Sequence, residues 1–332
     1  MTVKTTRRTF LAGTAVLGAA TLAAPGILRA QETVIRWGEM LAPSHPQVQM
    51  IDRIAAAAKE ASDGRIDVQS FPNGQLGSGK DMMDMVVSGA LAMTTDGAAA
   101  LGSLLPPLSV LEAPYLWTDP AQLAKVPGSD VFKTLNDQMV SQRGMRMLAV
   151  TYYGKRHVTT GNKAVHTAAD MQGLKLRVPP VDTFIAMVEA WGGQATPINF
   201  NELYLALSQG AVDGQENPLP TIASAKLNEV QKYLILTGHI ITPRIVIANE
   251  AWLSSLDKAD REILMAAIDE AVPWQNQQIL DSEAALQTTL ADAGMTVIEP
   301  DVESFRKPVL EQLPPKFESV WGKGTWEALA AL

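Results

Sequence analysis

The chain has 332 residues, with 27 basic and 35 acidic residues, no cysteine and a formal net charge of −8 at pH 7. The absence of cysteine excludes disulfides, thiolate catalysis and cysteine-based metal sites. The acidic balance argues against nucleic acid and anionic membranes as partners, because both are bound by clustered lysine and arginine.

The first thirty residues have the pattern of a twin-arginine signal peptide. Arg7 and Arg8 precede an apolar run, and a small-residue cleavage pattern ends at Ala30. Such signals export folded proteins to the bacterial periplasm. The alternative, an uncleaved membrane anchor, fits less well because the run is rich in Ala and Gly and is broken by Pro25-Gly26. Cleavage near Ala30 would remove four basic residues and no acidic one, which leaves a net charge near −12.

Strands and helices alternate in the early part of the exported chain. The predicted strands cover 33–38, 66–69 and 90–94, and the predicted helices cover 46–63 and 81–88. This order is typical of a parallel sheet with right-handed crossovers.

A second series begins at Met145. Its predicted strands cover 145–152, 174–178, 211–212 and 240–248, and its predicted helices cover 183–191 and 201–209. A long helical pattern follows over 257–292, with Pro273 expected to kink it. At 1.5 Å per residue this helix would be about 50 Å long, enough to run along two lobes. Because no flexible linker interrupts the chain, the two lobes are expected to exchange segments.

Several enzymatic motifs are missing from the sequence. There is no H-E-x-x-H, the four histidines lack the spacing of a helical metal pair, and there is no G-x-S-x-G. The segment 74–81 nearly matches a phosphate-binding P-loop, but Asp81 stands where a magnesium-binding Ser or Thr is required. It therefore predicts a turn and a helix cap, and the sequence favours binding without chemistry.

Two arginines and an asparagine are candidates for holding an anion. Arg177 lies at the carboxyl end of a predicted strand, where ligands bind in open α/β sheets, and a guanidinium matches a carboxylate with two parallel donors. Arg156 follows the predicted strand 145–152, and Asn217 follows the predicted strand 211–212. The alternatives are a solvated strand arginine for Arg177, a basic turn at Arg156 and an Asx-Pro turn at Asn217.

Several short segments together resemble the solute-binding proteins of tripartite ATP-independent periplasmic (TRAP) transporters, in order and spacing over essentially the whole exported chain. These segments are Trp37-Gly38 with Ser44-His45-Pro46, Phe71-Pro72-Asn73-Gly74-Gln75-Leu76-Gly77, Gly154-Lys155-Arg156-His157, Gly173-Leu174-Lys175-Leu176-Arg177 and Asp213-Gly214-Gln215-Glu216-Asn217-Pro218.

The resemblance implies an α/β fold of the two-lobe periplasmic binding protein type, a flytrap with segment-swapped lobes and a long helix spanning both. The predicted division is 31–153 plus 243–282 for lobe I and 154–242 plus 283–332 for lobe II. The resemblance also implies that Arg177 forms the main salt bridge to a ligand carboxylate, that Arg156 assists and that Asn217 completes the grip.

The other predicted contacts concern specificity. Glu39 and Asp96 end strands of the first lobe and resemble family residues that touch the far end of the ligand; alternatively they are solvated or capping acids. Acids there suit a hydroxyl-rich ligand, which favours a sugar acid such as a uronate or aldonate over a dicarboxylate.

Three further residues have two open interpretations each, and a fourth is a single candidate. Phe200 is a candidate to stack on the ligand or a core aromatic, and Glu216 is a hydroxyl acceptor or a structural residue. His45 is favoured as a helix-entry residue over a ligand contact. Arg244 is a second candidate cation.

The expected function is that of a periplasmic carrier component that captures an organic acid and delivers it to an ion-driven membrane permease. We expect a monomer without cofactor, metal or enzymatic activity. The alternatives are the same carrier role for a small dicarboxylate or other carboxylate, a periplasmic sugar-acid enzyme that uses Glu39 and Asp96 as an acid/base pair, and a sensory module.

Overall fold

The structure, a computed structural model, describes residues 33–332. The predicted twin-arginine signal at residues 1–30 lies outside this part of the chain. The described strands are β1 (Thr33–Gly38), β2 (Ile66–Phe71), β3 (Met93–Gly97), β4 (Met145–Thr160), β5 (Lys175–Val178), β6 (Gln194–Pro197), β7 (Gly214–Pro218), β8 (Tyr233–Asn249) and β9 (Thr296–Ile298).

The helices fill the intervals between the strands. The α-helices are α1 (Pro46–Ala61), α2 (Gly79–Ser88), α3 (Ala98–Leu101), α4 (Asp130–Arg143), α5 (Asp182–Ala190), α6 (Phe200–Ser208), α7 (Leu219–Ser224), α8 (Glu250–Ser255), α9 (Lys258–Asp292), α10 (Val302–Trp321) and α11 (Thr325–Ala330). Short 3-10 helices cover Pro106–Glu112, Pro120–Gly128, Ala168–Met171 and Leu227–Glu229.

The strands form one mixed sheet in the order β2-β1-β3-β8-β4-β7-β5-β6, with β9 beside β8. At one end β1 pairs in parallel with β2 and β3, and at the other end β5 pairs in parallel with β6 and β7. The two longest strands, β4 and β8, are antiparallel and connect these ends, from the pair Met145 and Asn249 to the pair Thr160 and Tyr233. The α/β class predicted from the sequence is confirmed.

Helix α1 begins where the sequence predicts, and α2 begins at Gly79, two residues before its predicted start. The imidazole of His45 accepts a hydrogen bond from the backbone N–H of Gln47 and caps α1, whose buried face packs on α9 and β2. Ser78 and Asp81 form a reciprocal capping box at the start of α2. The segment 74–81 is therefore a turn and a helix cap, as predicted.

Helix α9 is a continuous 35-residue element that contains Pro273. Near its start, Leu264 and Ile268 pack in the cluster that holds α1 and β1. Glu283 accepts hydrogen bonds from the hydroxyl of Tyr152 and the backbone N–H of Lys155 in β4. The helix therefore runs past elements that were assigned to both predicted lobes, while the lobe boundaries themselves stay a prediction.

The strand predicted at 240–248 begins earlier, at Tyr233 of β8. Three further strand predictions are wrong in position. The strand predicted at 90–94 lies at Met93–Gly97, because residues 90–92 form a bend. The strand predicted at 211–212 is also a bend, and β7 begins two residues later at Gly214. Asn217 consequently lies inside a buried strand and not in a turn after one.

The third correction concerns Arg156, which lies within β4 and not beyond the end of a strand. The strand continues through an irregular point at Gly154, where the sequence pattern breaks. The φ of Gly154 is +125°, and the pairing register with β8 shifts between Tyr152 and Gly154. A Cβ atom at Gly154 would lie 2.6 Å from Cβ of Pro218, so only glycine allows β7 to approach this irregular point in β4.

Candidate functional site

A cavity of about 360 Å³ lies where the ends of β3, β5 and β7 meet the middle of β4 and β8. Its wall contains three arginines and two acids, alongside apolar side chains from several elements. The charged residues in the wall of this cavity, apart from Lys80, are Asp96, Glu112, Arg156, Arg177 and Arg244.

Arg177 is buried in the wall of the cavity without a counterion. Its Nε donates to the carbonyl oxygen of Ile198 at 2.8 Å, and its guanidinium lies 6.0 Å from the ring centre of Phe200. Its two Nη atoms have no hydrogen-bond partner among residues 33–332. No carboxylate in this range forms an ion pair with Arg177. Burial lowers the pKa of Arg177 to about 10, so the group remains positively charged at neutral pH.

Arg156, by contrast, is neutralised by Glu216. Its Nε and Nη2 donate to the two carboxylate oxygens, with 2.8 Å between Nη2 and Oε1. Nη2 also donates to Oδ1 of Asn217 at 3.1 Å. Burial opposes the charge of Arg156, but the carboxylate outweighs burial and raises its pKa above the ordinary value. Glu216 is held in turn by Nε2 of His239 at 3.0 Å.

Arg244 is also paired inside the protein. Its Nη2 lies 3.0 Å from Oε1 of Glu39, and its guanidinium is 5.2 Å from the ring centre of Tyr153. Glu39 accepts a further bond from the backbone N–H of Met40 at 2.7 Å and does not line the cavity.

Two carboxyl groups also line the cavity. Asp96 accepts from the backbone N–H of Gly97 at 2.8 Å, and Glu112 accepts from the backbone N–H of Ala99 at 2.9 Å. Burial raises the pKa of both groups, and that of Glu112 reaches about 7. Each carboxyl also lies against a glycine: a Cβ atom at Gly97 would come within 2.5 Å of Oε2 of Glu112, and one at Gly79 would collide with Asp96.

The structure brings six of the nine candidates from the sequence together in the cavity wall. These six are Asp96, Arg156, Arg177, Phe200, Asn217 and Arg244. Glu39, Glu216 and His45 lie behind the wall and bind protein groups. For His45 this agrees with the favoured interpretation as a helix-entry residue, and for Glu216 it agrees with the structural alternative. Whether the six touch a ligand stays a prediction.

Sequence reasoning missed Glu112, Tyr153 and Thr242, which also line the cavity. Thr242 is buried, and its hydroxyl has no hydrogen-bond partner in the described part of the chain. A signal existed for Glu112, because it is the only charged residue in the otherwise apolar segment 104–118. A lone acid in such a segment is costly to bury unless it has a role.

Within residues 33–332 no three side chains of His, Asp or Glu are grouped in a way that could hold a metal ion. In the same range no helix combines the length and apolar character needed to cross a bilayer. The cavity therefore offers an anion-binding guanidinium, amide and carboxyl groups, and an apolar surround for a small organic ligand.

Known proteins resemble this chain in sequence. A family model described as bacterial extracellular solute-binding protein, family 7 (DctP), matches residues 37–322. The sialic acid-binding periplasmic protein SiaP of Vibrio cholerae is 32% identical over 300 residues, which cover 90% of this chain and 93% of SiaP.

Solved structures extend the likeness to the fold. A TRAP periplasmic solute-binding protein from Polaromonas sp. JS666, bound to D-erythronate, has a TM-score of 0.86 and 31% identity, and the match covers 91% of this chain and 99% of that one. A TRAP protein from Sulfurospirillum deleyianum with bound succinate has a TM-score of 0.84 and 25% identity, with coverage of 91% and 99%. The chain belongs to the DctP family of bacterial extracellular solute-binding proteins, and it is a solute-binding protein of the TRAP type.

Proposed function

We propose that this protein captures a sugar acid with a single carboxylate, such as an aldonate or uronate, and delivers it to an ion-driven TRAP permease. The observation that carries the proposal is the charge balance of the cavity. Arg156 and Arg244 are each neutralised by a buried glutamate, whereas Arg177 has no counterion among residues 33–332. One unpaired guanidinium suits one carboxylate. Asn217, which lines the same cavity, is the proposed second polar contact of that carboxylate.

The two acids in the cavity wall support a ligand that carries hydroxyl groups. Asp96 and Glu112 are hydrogen-bond acceptors when ionised, and ligand hydroxyls are donors. A second ligand carboxylate near these groups would meet like charge in a poorly solvated place, which disfavours a dicarboxylate. Glu39 was expected in this acidic wall, but Glu112 occupies the wall while Glu39 neutralises Arg244.

The relatives include proteins named for or bound to sugar acids and one bound to a dicarboxylate. SiaP is named for sialic acid and the Polaromonas protein holds D-erythronate, whereas the Sulfurospirillum protein holds succinate. A small dicarboxylate is therefore the second candidate ligand for this chain.

A matched ligand series tests the proposal. D-gluconate and D-galactonate each carry one carboxylate, the corresponding hexitols carry none and the corresponding aldarates carry two. Thermal-shift and calorimetric titrations of the purified protein should rank the aldonates first, because a ligand that binds only the folded form raises the melting temperature. A preference for the aldarates or for succinate would overturn the proposal. Binding of the hexitols would show that the ligand does not need a carboxylate at Arg177.

An enzymatic role is not supported by the same geometry. An acid/base pair of Glu39 and Asp96 would need both carboxyl groups at the ligand, and Glu39 is turned away and paired with Arg244. Recovery of intact D-galactonate after long incubation is the expected result; a new product in the chromatogram would favour the enzyme.

Export, assembly and domain movement complete the proposal. We infer cleavage near Ala30 after twin-arginine export, a monomer, and closure of two lobes over the ligand at the boundaries given above. N-terminal sequencing of the periplasmic protein from wild type and from a variant with Arg7 and Arg8 replaced by lysine tests the signal. Light scattering tests the monomer, and small-angle scattering with and without D-galactonate tests the closure.

A further inference from the structure

Glu112 is the charged group of the cavity that neither the motifs nor the fold-level likeness identifies. It lies at the end of the 3-10 helix Pro106–Glu112 and is 4% exposed. One carboxylate oxygen, Oε2, accepts from the backbone N–H of Ala99. The other, Oε1, has no hydrogen-bond partner within the described residues and is free to contact whatever enters the cavity.

The surroundings of Glu112 place it between the two ends of the cavity. On one side, the chain after Glu112 is held by a hydrogen bond of 2.9 Å from the backbone N–H of Tyr115 to the carbonyl oxygen of His239, whose imidazole binds the carboxylate that pairs with Arg156. On the other side, the carboxyl of Glu112 lies against Gly97, whose backbone N–H binds Asp96. Glu112 therefore lies between Arg156 and Asp96 along the wall.

This position sets which part of a bound acid Glu112 would meet. If the ligand carboxylate lies at Arg177 and Arg156, Glu112 is the acid of the wall on the Arg156 side of Asp96. The ligand group beside the carboxylate is the substituent on the adjacent carbon. In an aldonate that substituent is a hydroxyl, which donates a hydrogen bond. In a pyranose uronate it is the ring oxygen, and in a 2-keto acid it is a carbonyl oxygen, and both of these only accept.

We propose that Glu112 is a specificity-determining residue that accepts a hydrogen bond from the hydroxyl on the carbon adjacent to the ligand carboxylate, and so selects 2-hydroxy acids of the aldonate type. The inference rests on the proposed function, because it assumes that the ligand carboxylate lies at Arg177. The carboxyl group of Glu112 is held in place, because the backbone N–H of Ala99 binds Oε2 and Gly97 leaves no room behind the carboxyl. A carboxylate held in this way rejects an acceptor that cannot pair with it.

The variant that tests this inference is Glu112→Gln. Glutamine has the same shape and keeps a carbonyl oxygen for the N–H of Ala99, but it presents an NH2 donor to the ligand in place of an acceptor. The matched control is Asp96→Asn, which makes the same chemical change at the other acid of the wall. Calorimetry at pH 8 would compare D-gluconate and D-galactonate with their 2-deoxy and 2-keto counterparts on all three proteins.

In the wild-type protein we expect each aldonate to bind at least about tenfold more tightly than its 2-deoxy and 2-keto counterparts. Glu112→Gln should lower the affinity for the aldonates and raise that for the 2-keto acids, so that the ratio falls about tenfold or more. Asp96→Asn should weaken all the ligands and leave that ratio unchanged.

The outcomes separate the two proposals. If the wild-type protein binds aldonates but Glu112→Gln leaves the ratio to the 2-keto acids unchanged, the role of Glu112 is refuted and the proposed function stands. An equal change of the ratio in Asp96→Asn would also refute it, since the selection would then not belong to Glu112. If no sugar acid binds to the wild type, both proposals fall together.

Discussion

Arg156 and Arg177 line the same cavity, but only Arg156 forms an ion pair with Glu216. Arg156 is therefore half of a buried ion pair, whereas Arg177 is a buried cation with no ion-pair partner among residues 33–332.

The first prediction compares Arg177→Met with Arg156→Met. Loss of Arg177 should abolish detectable binding of aldonates and change the free energy of unfolding by no more than about 1 kcal/mol, because only one hydrogen bond to a carbonyl is lost. Loss of Arg156 should lower the free energy of unfolding by about 3–5 kcal/mol, because Glu216 would stay buried without its partner. Urea denaturation and calorimetry measure both effects. Equal destabilisation by the two variants would contradict the difference in pairing.

A second prediction follows for the double variant Arg156→Met/Glu216→Leu. Replacing both partners of a buried ion pair by apolar groups is often neutral for stability, whereas removing one is costly. The double variant should therefore recover most of the stability that Arg156→Met loses, although Glu216 also binds His239. A double variant less stable than either single variant would show that the pair is not the reason for the loss.

The third prediction concerns pH. Burial raises the pKa of Glu112 from 4.5 to about 7. The folded protein therefore holds a proton that the unfolded chain has released, and stability falls as the pH rises from 4.5 to 7. From pH 5 to pH 8 the loss should be about 2–3 kcal/mol, and Glu112→Gln should remove it. Urea denaturation of the unliganded proteins at both pH values gives the difference.

That comparison also controls for the buried histidines. Burial lowers the pKa of His45 and His157 to about 3, so these groups cost stability as the pH falls from 6.5 towards 3. Their effect has the opposite sign to that of Glu112 and is common to wild type and variant. The same pH slope in both proteins would therefore show that Glu112 does not titrate in this range.

A fourth prediction uses the glycine behind Glu112. Gly97 has an ordinary φ of −63°, so alanine meets no backbone strain there, but its Cβ would lie 2.5 Å from the carboxyl oxygen. Gly97→Ala should displace Glu112 and weaken aldonate binding about tenfold or more. Gly128→Ala is the matched control, because nothing lies within 4 Å of a Cβ at that glycine. Unchanged affinity in Gly97→Ala would mean that the position of Glu112 does not matter for binding.

The fifth prediction separates the cap from the ligand site. His45→Ala should lower the free energy of unfolding by about 1 kcal/mol, because the backbone N–H of Gln47 loses its acceptor. His45→Asn restores a capping oxygen and should recover part of that loss. Aldonate affinity should be the same in both variants, as measured by calorimetry. A marked loss of affinity in His45→Asn would revive a direct contact role for this histidine.

Helical spacing and capping residues predicted most of the first half of the fold. The strand at Thr33–Gly38 and the helix that starts at Pro46 agree with their predictions, because a buried apolar pattern and a cap point to the same boundary. The long helix α9 was predicted to within one residue for the same reason.

The sheet was harder to predict where glycine lies inside a strand. Gly154 and Gly238 have positive φ values, and the predicted strands 145–152 and 240–248 do not include them, yet β4 and β8 continue through them. In the same way β7 is buried along its whole length although Gln215, Glu216 and Asn217 are polar. An alternating apolar pattern cannot reveal a strand whose buried side chains are polar and bind one another.

The candidate site was predicted best where a residue type alone states the chemistry. Arg177 and Arg156 were selected because a guanidinium matches a carboxylate, and both line the cavity. The acids were harder, because the sequence does not reveal that Glu39 pairs with Arg244 while Glu112 faces the cavity. Glu39 and Arg244 lie 205 residues apart along the chain and meet only in the folded protein.

The continuity of β4 and β8 has a consequence for any attempt to divide this protein. The expected lobe boundaries, 153/154 and 242/243, fall in the interior of these two strands, where each is paired with the other. A recombinant fragment ending at residue 153 would therefore cut β4 in half and expose unpaired backbone groups on both sides of the break. Neither half should fold when it is expressed alone, and the residues that surround the cavity come together only in the intact chain.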